Sequence, residues 1–188
     1  MMRIIAGQFG SRRLRTLRGM ELRPTSDRLR ETLFDILGPT VEDSLFVDVF
    51  AGTGAIGIEA LSRGARQVVF IERHPPAAKL IRQNLNSLGV KTGSEILAMD
   101  AIQGLEGLAS RHVLADFILL DPPYARAADY LRVLDFLDGS HLLAPRGIVI
   151  VEHRKKMELP MRLDRLECSR TVEQADSALS FYRLAMAA

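Results

Sequence analysis

Four consecutive residues, Asp121-Pro122-Pro123-Tyr124, combine hydrogen-bond acceptors with an aromatic ring. We call residues 121–124 the Asp121 loop. The two prolines fix the backbone and remove two N–H donors, which leaves the Pro122 carbonyl free to accept. The Asp121 carboxylate is a second acceptor, so the pair suits the two hydrogens of an exocyclic NH₂ group. Tyr124 can stack on a planar base. The loop therefore predicts a site for a base amino group; a rigid turn with a packed tyrosine is the plain alternative.

A second stretch, LFVDVFAGTGAIGIEALSRG at residues 45–64, predicts a strand, a glycine turn and a helix. Its first five residues form an apolar run of the length of a buried strand, and Gly64 is a typical helix stop. Gly52, Gly54 and Gly57 fit the pattern G-x-G-x-x-G in this context. Such glycines let a ligand approach the backbone, and the helix N-terminus offers N–H groups to an anionic group. The motif indicates a nucleotide-like cofactor, or else a tight turn that needs glycine.

Acidic residues lie at or just after the ends of several predicted strands, where ligands bind in parallel sheets. Glu72 lies about twenty residues beyond the glycines and can accept both hydroxyls of a ribose. Asp100 can accept from an adenine amino group, unless it only caps a helix. Asp48 can face an ammonium group, unless it is simply a polar strand end. The candidate cofactor residues are Asp48, Phe50, Ala51, Gly52, Thr53, Gly54, Glu72, Arg73, Asp100 and Ala101.

The glycine motif alone fits a dinucleotide as well as S-adenosylmethionine. A dinucleotide fold usually continues into a second mononucleotide unit or a catalytic domain, whereas this chain continues into a predicted hairpin and carries the Asp121 loop. The sequence therefore favours S-adenosylmethionine. An aromatic amine is a poor nucleophile, and hydrogen bonds to Asp121 and the Pro122 carbonyl would aim its lone pair at the sulfonium methyl. Orientation would then be the main catalytic contribution, and fixed acceptors would stabilise the charge on nitrogen.

Alternating strand and helix patterns predict the sheet that holds these groups. The predicted strands are 45–49, 67–71, 95–99, 116–120 and 148–152, followed by two strands at 165–172 and 179–184 without a helix between them. Five helices are predicted. One begins at Asp27, one follows Asp100, and the other three span 54–63, 75–88 and 127–137. This alternation predicts an α/β fold with a mostly parallel sheet, helices on both faces and an antiparallel hairpin at the edge. We expect one domain, residues 1–188, in which 1–24 form a small hairpin arm.

Positive charge is concentrated at the N-terminus. Residues 1–30 contain eight arginines and two acidic residues, a net charge of +6, and the rest of the chain has a net charge of −4. A basic segment on an acidic body suggests a polyanionic partner, and arginine suits bidentate phosphate contacts. The candidate RNA contacts are Arg3, Arg12, Arg13, Arg15, Arg23 and Arg28. The run His153-Arg154-Lys155-Lys156 is either a further RNA contact or solvated charge.

Composition and the N-terminal residues argue against a disulfide-bonded, membrane-spanning or secreted protein. There is one cysteine, so we expect no internal disulfide, and no apolar run reaches the ~20 residues of a membrane span. The opening MMRIIAGQFGSRR lacks the apolar segment of a secretory signal. We therefore expect a cytoplasmic monomer. The histidines show no metal-ligand spacing, so we expect no metal site.

Three blocks of the sequence resemble one known family. The blocks are VDVFAGTGAIGIEALSRGA, the later DPPY and the opening MRIIAGQFGSRRL…LRPTSDRLRETLFDIL. Together they are similar to the bacterial 16S rRNA (guanine-N2)-methyltransferases, over nearly the whole chain. Many methyltransferases share the glycine block, and those that act on amino groups of bases or of glutamine share DPPY. The N-terminal block narrows the resemblance to this family.

The resemblance implies a Rossmann-like class I methyltransferase fold, with seven strands, an antiparallel C-terminal hairpin and a small N-terminal hairpin and helix. It implies S-adenosylmethionine-dependent methylation of the 2-amino group of a guanine in 16S rRNA, free or in a small-subunit particle. By position, Asp48, Gly52 and Gly54 match the family's methionine-end loop, and Glu72 matches its ribose carboxylate. Asp100 matches its adenine contact, the Asp121 loop its catalytic loop and the arginine-rich arm its RNA-binding hairpin.

One stretch departs from the family pattern. The family typically shows an aromatic–Gly–Asp run before Leu-Ser-Phe-Tyr, whereas this chain has Gln174-Ala175-Asp176. Three other functions stay open on the residues. An N6-adenine methyltransferase acting on RNA or DNA would share DPPY. An RNA-binding module could retain a vestigial cofactor loop, and a nicotinamide oxidoreductase would share the glycine motif.

Overall fold

The computed structural model describes residues 2–16, 27–122 and 127–185. It divides the chain into two compact units, Met1–Asp100 and Ala101–Ala188. No helix in the described ranges is long and apolar enough to cross a lipid bilayer.

The first unit is a parallel sheet with helices. Its strands are β1 (Leu45–Val49), β2 (Gln67–Ile71) and β3 (Ser94–Leu97), in the order β3-β2-β1. Its helices are α1 (Asp27–Leu37), α2 (Ala55–Ser62) and α3 (Pro75–Leu88), and a 3₁₀ turn at Gly38–Val41 follows α1. Every residue of β1 and of α2 is buried, which is typical of a parallel strand covered on both faces and of a helix enclosed by neighbouring elements. The predicted bounds of β1, β2 and α3 are confirmed.

The second unit contains helices α4 (Ala101–Ser110) and α5 (Ala127–Gly139). Its strands are β4 (Ala115–Leu120), β5 (Leu143–Arg154), β6 (Leu166–Gln174) and β7 (Ser177–Leu184). Strands β4 and β5 are parallel, whereas β7 pairs antiparallel with both β5 and β6. The full strand order is β3-β2-β1-β4-β5-β7-β6. This seven-stranded, mostly parallel sheet with an antiparallel hairpin at its edge confirms the predicted fold class.

Strand β5 differs most from its prediction. It begins at Leu143 rather than at residue 148, and it continues to Arg154. Its pairing with β4 moves from Ala115–Leu143 directly to Phe117–Ile148, so residues 144–147 bulge out of the ladder. The strand pattern was hidden because this bulge contains a proline and a glycine, which normally mark a turn.

The N-terminal arm, which we define as residues 2–16, is a short hairpin within the first unit. The Ile4 N–H donates to the Arg12 carbonyl at 2.9 Å, and the Leu14 N–H donates to the Met2 carbonyl at 3.0 Å. The side chains of Met2, Ile4 and Leu14 are buried. The expected hairpin is therefore confirmed for these residues. The remainder of the predicted arm, from residue 17, lies outside the described residues, and the single-domain expectation stays a prediction.

Candidate functional site

The loop between β1 and α2 has an unusual backbone. We call residues 50–54 the glycine loop. Phe50, Gly52 and Gly54 have φ angles of 66°, 56° and 76°. A left-handed conformation costs a residue with a side chain about 1–2 kcal/mol, so Phe50 adopts it only because the surrounding structure requires it. Gly57, the third glycine of the motif, serves packing instead, because a Cβ there would lie 2.3 Å from the ring of Phe70.

Asp48 is a buried carboxylate beside this loop. Its side chain is 2% exposed, and its Oδ2 accepts from the Gly57 N–H at 2.9 Å. Burial raises the pKa of Asp48 to about 7, the bond from Gly57 opposes this rise, and the negative charge of Glu72 adds to it. A positive group placed near Asp48 would favour its ionised form. The expected role toward an ammonium group stays a prediction.

Glu72 lies just after β2 and holds the glycine loop. Its Oε2 accepts from the Gly52 N–H at 2.8 Å, and its Oε1 accepts from the His74 N–H at 2.7 Å. Each carboxylate oxygen can accept a further bond, so both can still meet a hydroxyl. In the described part of the chain, neither Glu72 nor Asp48 forms an ion pair with a lysine or arginine.

This donor set fits the cofactor that the sequence favours. S-adenosylmethionine carries an ammonium group and two ribose hydroxyls, and the site offers, beside a glycine loop, two carboxylates that have no basic partner among the described residues. The structure brings Asp48, Glu72 and the glycine loop together. Arg73 is exposed, Asp100 is half-buried after β3, and Ala101 is buried at the start of α4. Among the described residues, no group of three or more His, Cys, Asp or Glu side chains could hold a metal ion.

The described part of the Asp121 loop directly follows β4. Asp121 is half-buried and Pro122 is buried, while Pro123 and Tyr124 lie outside the described residues. The sequence predicted a free Pro122 carbonyl. In the structure this carbonyl accepts a hydrogen bond from the hydroxyl of Tyr130 at 3.3 Å. A carbonyl has two lone pairs, so one remains for a ligand. Tyr130 is 1% exposed on α5, and its position in an apolar helix pattern indicated only a core residue.

The candidate RNA contacts differ in what their side chains do. Arg13, Arg15 and Arg28 are exposed, and Arg3 is exposed but lies 3.5 Å from the Asp27 carboxylate. The Arg12 guanidinium donates to the carbonyls of residues 87 and 88 at 2.6 and 3.5 Å, at the C-terminal end of α3. The C-terminal end of a helix stabilises a positive charge, so Arg12 also has a structural role, which its charge alone did not indicate. Arg23 lies outside the described residues.

Two charged residues on helices hold the N-terminal arm, and sequence reasoning missed both roles. The Glu59 carboxylate is fully buried and accepts from the N–H groups of Ile5 at 2.7 Å and Ala6 at 3.0 Å. Arg30, counted above as part of the basic segment, is fully buried, and its Nη2 donates to the Arg3 carbonyl at 2.7 Å. The only sequence signal was a glutamate inside the apolar pattern of α2.

His153 is not a surface residue. It lies in β5 and is buried, its Nδ1 donates to the Arg154 carbonyl at 2.9 Å, and its Nε2 accepts from the Ser180 hydroxyl at 2.8 Å. Burial lowers the pKa of His153, and this pair of bonds fits the neutral ring. Lys155 pairs with the carboxylate of Glu173. The suggestion that residues 153–156 contact RNA is therefore wrong for His153.

Comparisons with known proteins identify the family. The profile of a family described as Conserved hypothetical protein 95 matches residues 2–183. The chain belongs to this family. A relative from Haemophilus influenzae, named Ribosomal RNA small subunit methyltransferase D, is 35% identical over 84% of this chain and 81% of that protein. The Bacillus subtilis protein YlbH is 31% identical over 97% of this chain and 98% of its own length.

The fold is also that of a solved relative. The structure of the Escherichia coli protein yhhF superposes with a TM-score of 0.84 at 28% identity and covers 97% of both chains. These relatives confirm the family that the three sequence blocks indicated, and the superposition confirms the fold.

Proposed function

We propose that the protein uses S-adenosylmethionine to methylate the 2-amino group of a guanine in 16S rRNA. The observation that carries the proposal is a pair of carboxylates at the glycine motif. Glu72 accepts from the Gly52 N–H and Asp48 from the Gly57 N–H, and neither has a basic partner in the described residues. The relative named Ribosomal RNA small subunit methyltransferase D supports the reaction class and the kind of RNA.

The cofactor half of the site lies in the first unit. The Asp48 carboxylate meets the ammonium group, which favours its ionised form against the cost of burial. Glu72 accepts the ribose hydroxyls while its backbone bonds keep Gly52 in place. Asp100 accepts from the adenine amino group. The remaining contacts come from Phe50, Ala51, Thr53, Gly54, Arg73 and Ala101. When bound, S-adenosylmethionine supplies a methyl group on a sulfonium, which is electrophilic.

The amine-binding half is the Asp121 loop. The Asp121 carboxylate and the Pro122 carbonyl accept the two hydrogens of the guanine NH₂ group, and Tyr124 stacks on the base next to Pro123. The Tyr130 hydroxyl holds the Pro122 carbonyl in one orientation by occupying one of its lone pairs. Orientation of the weak amine is then the main catalytic contribution, and the Asp121 carboxylate stabilises the charge that develops on nitrogen and accepts its proton.

The substrate half of the proposal depends on the N-terminal arm. Its exposed arginines contact phosphates, which favours a structured polyanion such as 16S rRNA or a small-subunit particle in the cytoplasm. A base inside a helix is out of reach of any pocket, so the target guanine turns out of its stack. The protein acts as a monomer in this proposal.

Two variants test this division of labour. Asp121→Ala keeps all cofactor contacts, so we expect binding of S-adenosylhomocysteine within about twofold of wild type and a loss of turnover of about 100-fold or more. Asp48→Asn keeps the Asp121 loop, so we expect weaker cofactor binding and a smaller loss of turnover at saturating cofactor. Calorimetric titration and a labelled-methyl assay give both values. An Asp121→Ala protein that had lost cofactor affinity would contradict the role assigned to this residue.

A further inference from the structure

Asn84 on α3 is fully buried, and its carboxamide makes three hydrogen bonds. Its Oδ1 accepts from the Arg15 N–H at 2.9 Å, and its Nδ2 donates to the Arg15 carbonyl at 3.2 Å. The same Nδ2 donates to the Thr53 carbonyl at 3.3 Å. An N–H can only donate and a carbonyl can only accept, so these partners fix the orientation of the amide.

These bonds join two regions with different proposed ligands. Arg15 belongs to the N-terminal arm, and Thr53 belongs to the glycine loop. A second contact joins the same regions, because the buried Thr53 hydroxyl donates to the Met2 sulfur at 3.3 Å. Both ends of the arm therefore reach Thr53, one directly and one through Asn84.

The other side chains that hold the arm do not reach the glycine loop. Glu59 bonds to Ile5 and Ala6, and the Ser62 hydroxyl accepts from the Phe9 N–H at 3.0 Å and donates to the Ala6 carbonyl. They fix the tip of the hairpin to α2. Among the side-chain hydrogen bonds that hold the arm in the described ranges, only those of Asn84 and Thr53 involve the glycine loop, which distinguishes Asn84 from the other anchors.

We infer that Asn84 is a positioning residue that couples RNA binding at the N-terminal arm to cofactor binding at the glycine loop. The inference rests on the proposed function. An arm that moves away leaves the Asn84 amide without two of its three bonds, and the water that takes their place does not hold the amide in the one orientation that donates to Thr53. The conformation in which the arm is docked is therefore also the one in which Asn84 fixes the Thr53 carbonyl. RNA that orders the arm favours the loop that binds cofactor, and by linkage the cofactor favours the arm that binds RNA to the same degree.

The experiment measures the dissociation constant of S-adenosylhomocysteine with and without a saturating fragment of unmethylated small-subunit rRNA, and the RNA dissociation constant with and without S-adenosylhomocysteine. The full-length protein is used throughout. For wild type we expect each ligand to tighten the other by about fivefold or more, and by the same factor in both directions. Asn84→Ala, and the better-filled Asn84→Leu, should reduce this factor to about one.

Ser62→Ala is the matched control. It removes the hydroxyl that bonds the arm to α2 but leaves the contacts of Asn84 and Thr53 intact. We expect it to lower the melting temperature much as the Asn84 variants do and to keep the wild-type coupling factor. A purely structural role of Asn84 would instead lower stability without changing the coupling.

The outcomes separate this inference from the proposed function. A wild-type factor of one, with both ligands bound, would overturn the inference without use of any variant. A wild-type factor that survived in a folded Asn84 variant, or that Ser62→Ala abolished equally, would also overturn it. Failure of the wild-type protein to bind S-adenosylhomocysteine or RNA alone would overturn the proposed function, and the inference with it.

Discussion

Two segments, the N-terminal arm and the β5–β6 connection (residues 155–165), are each bonded through their backbone to a different buried carboxylate. Glu59 accepts the N–H groups of Ile5 and Ala6 from the arm. Asp138 at the end of α5 accepts the N–H groups of residues 164, 165 and 166 at 3.1, 2.8 and 2.7 Å. Neither segment has much regular structure, and in both the carboxylate replaces the backbone partners that a strand or helix would provide.

The two segments differ in what else they touch. The arm continues to Asn84 and Thr53, at the glycine loop, and presents exposed arginines. The β5–β6 connection is tied back to the end of α5, where the Arg165 guanidinium donates to the carbonyls of Asp138 and Ser140. A buried carboxylate that fixes backbone is thus no sign of function by itself. The function depends on the segment that it fixes.

Asp48 extends the comparison to a carboxylate that accepts a single backbone N–H. An unfolded aspartate loses its proton near pH 3.8, but folded Asp48 keeps it up to about pH 7, so between these values the folded state binds more protons. The free energy of unfolding therefore falls as the pH rises, by about 4 kcal/mol in total from this group.

Asp48→Asn removes this dependence and keeps an acceptor for Gly57. We expect the variant and wild type to unfold with similar free energies near pH 4, and the variant to be more stable by up to about 4 kcal/mol at pH 8. Urea unfolding at both pH values measures this difference. An equal effect of the substitution at both pH values would show that the burial of Asp48 does not dominate its titration.

The comparison of the two segments is tested most directly by Glu59→Ala and Asp138→Ala. Each removes the carboxylate that accepts from two or more backbone N–H groups, so we expect each variant to lose about 3 kcal/mol of unfolding free energy. Only Glu59→Ala should also weaken RNA binding, by about tenfold, because the proposed RNA contacts lie on the arm. Filter binding at fixed salt gives this value. If Asp138→Ala weakened RNA binding equally, the functional difference between the segments would be lost.

The arm itself contains a finer contrast. Arg12, Arg13 and Arg15 are all exposed, but the Arg12 guanidinium also donates to the carbonyls at the end of α3. Arg13→Gln and Arg15→Gln should each lower the slope of log affinity against log salt by about one, and Arg12→Gln should change it less and lower the melting temperature instead. Equal slopes for all three variants would mean that the contact of Arg12 with α3 does not persist in the complex.

The smallest expected effect lies in the turn between β6 and β7, where strand pairing continues to Gln174 and Ser177. Ala175 has a φ of 53°, a conformation that favours glycine, and glycine stands there in the family pattern. We expect Ala175→Gly to raise the unfolding free energy by about 1 kcal/mol, with RNA and cofactor binding unchanged. Denaturant unfolding measures the gain, and a loss of stability would contradict the strain assigned to this residue.

Local patterns predicted the fold well because its signals are local. The buried run of β1 and the Pro75 start and Gly89 end of α3 are readable in a few consecutive residues. The anchors of the arm were not predictable, because the partners of Glu59 and Asn84 are 54 and 69 residues away in sequence. Tyr130 is only eight residues from Pro122, yet nothing in a helical apolar pattern indicates where one hydroxyl points.

The part of the candidate site that forms a local sequence motif could be predicted from the sequence. Asp48 lies near the end of β1, the glycine loop follows β1 and Glu72 follows β2, and the structure brings them together. What the sequence missed is that both carboxylates already bond to the backbone of the motif.

The measurement that tests the central claim most directly is transfer of labelled methyl from S-adenosylmethionine to unmethylated small-subunit rRNA, to assembled small subunits and to duplex DNA. The product nucleoside is identified in each case, with Asp121→Ala as the inactive control. The account predicts N2-methylguanosine in rRNA or in the subunit, and none in DNA. Methyladenine as the product, or no transfer to either RNA substrate by a protein that binds the cofactor, would contradict it.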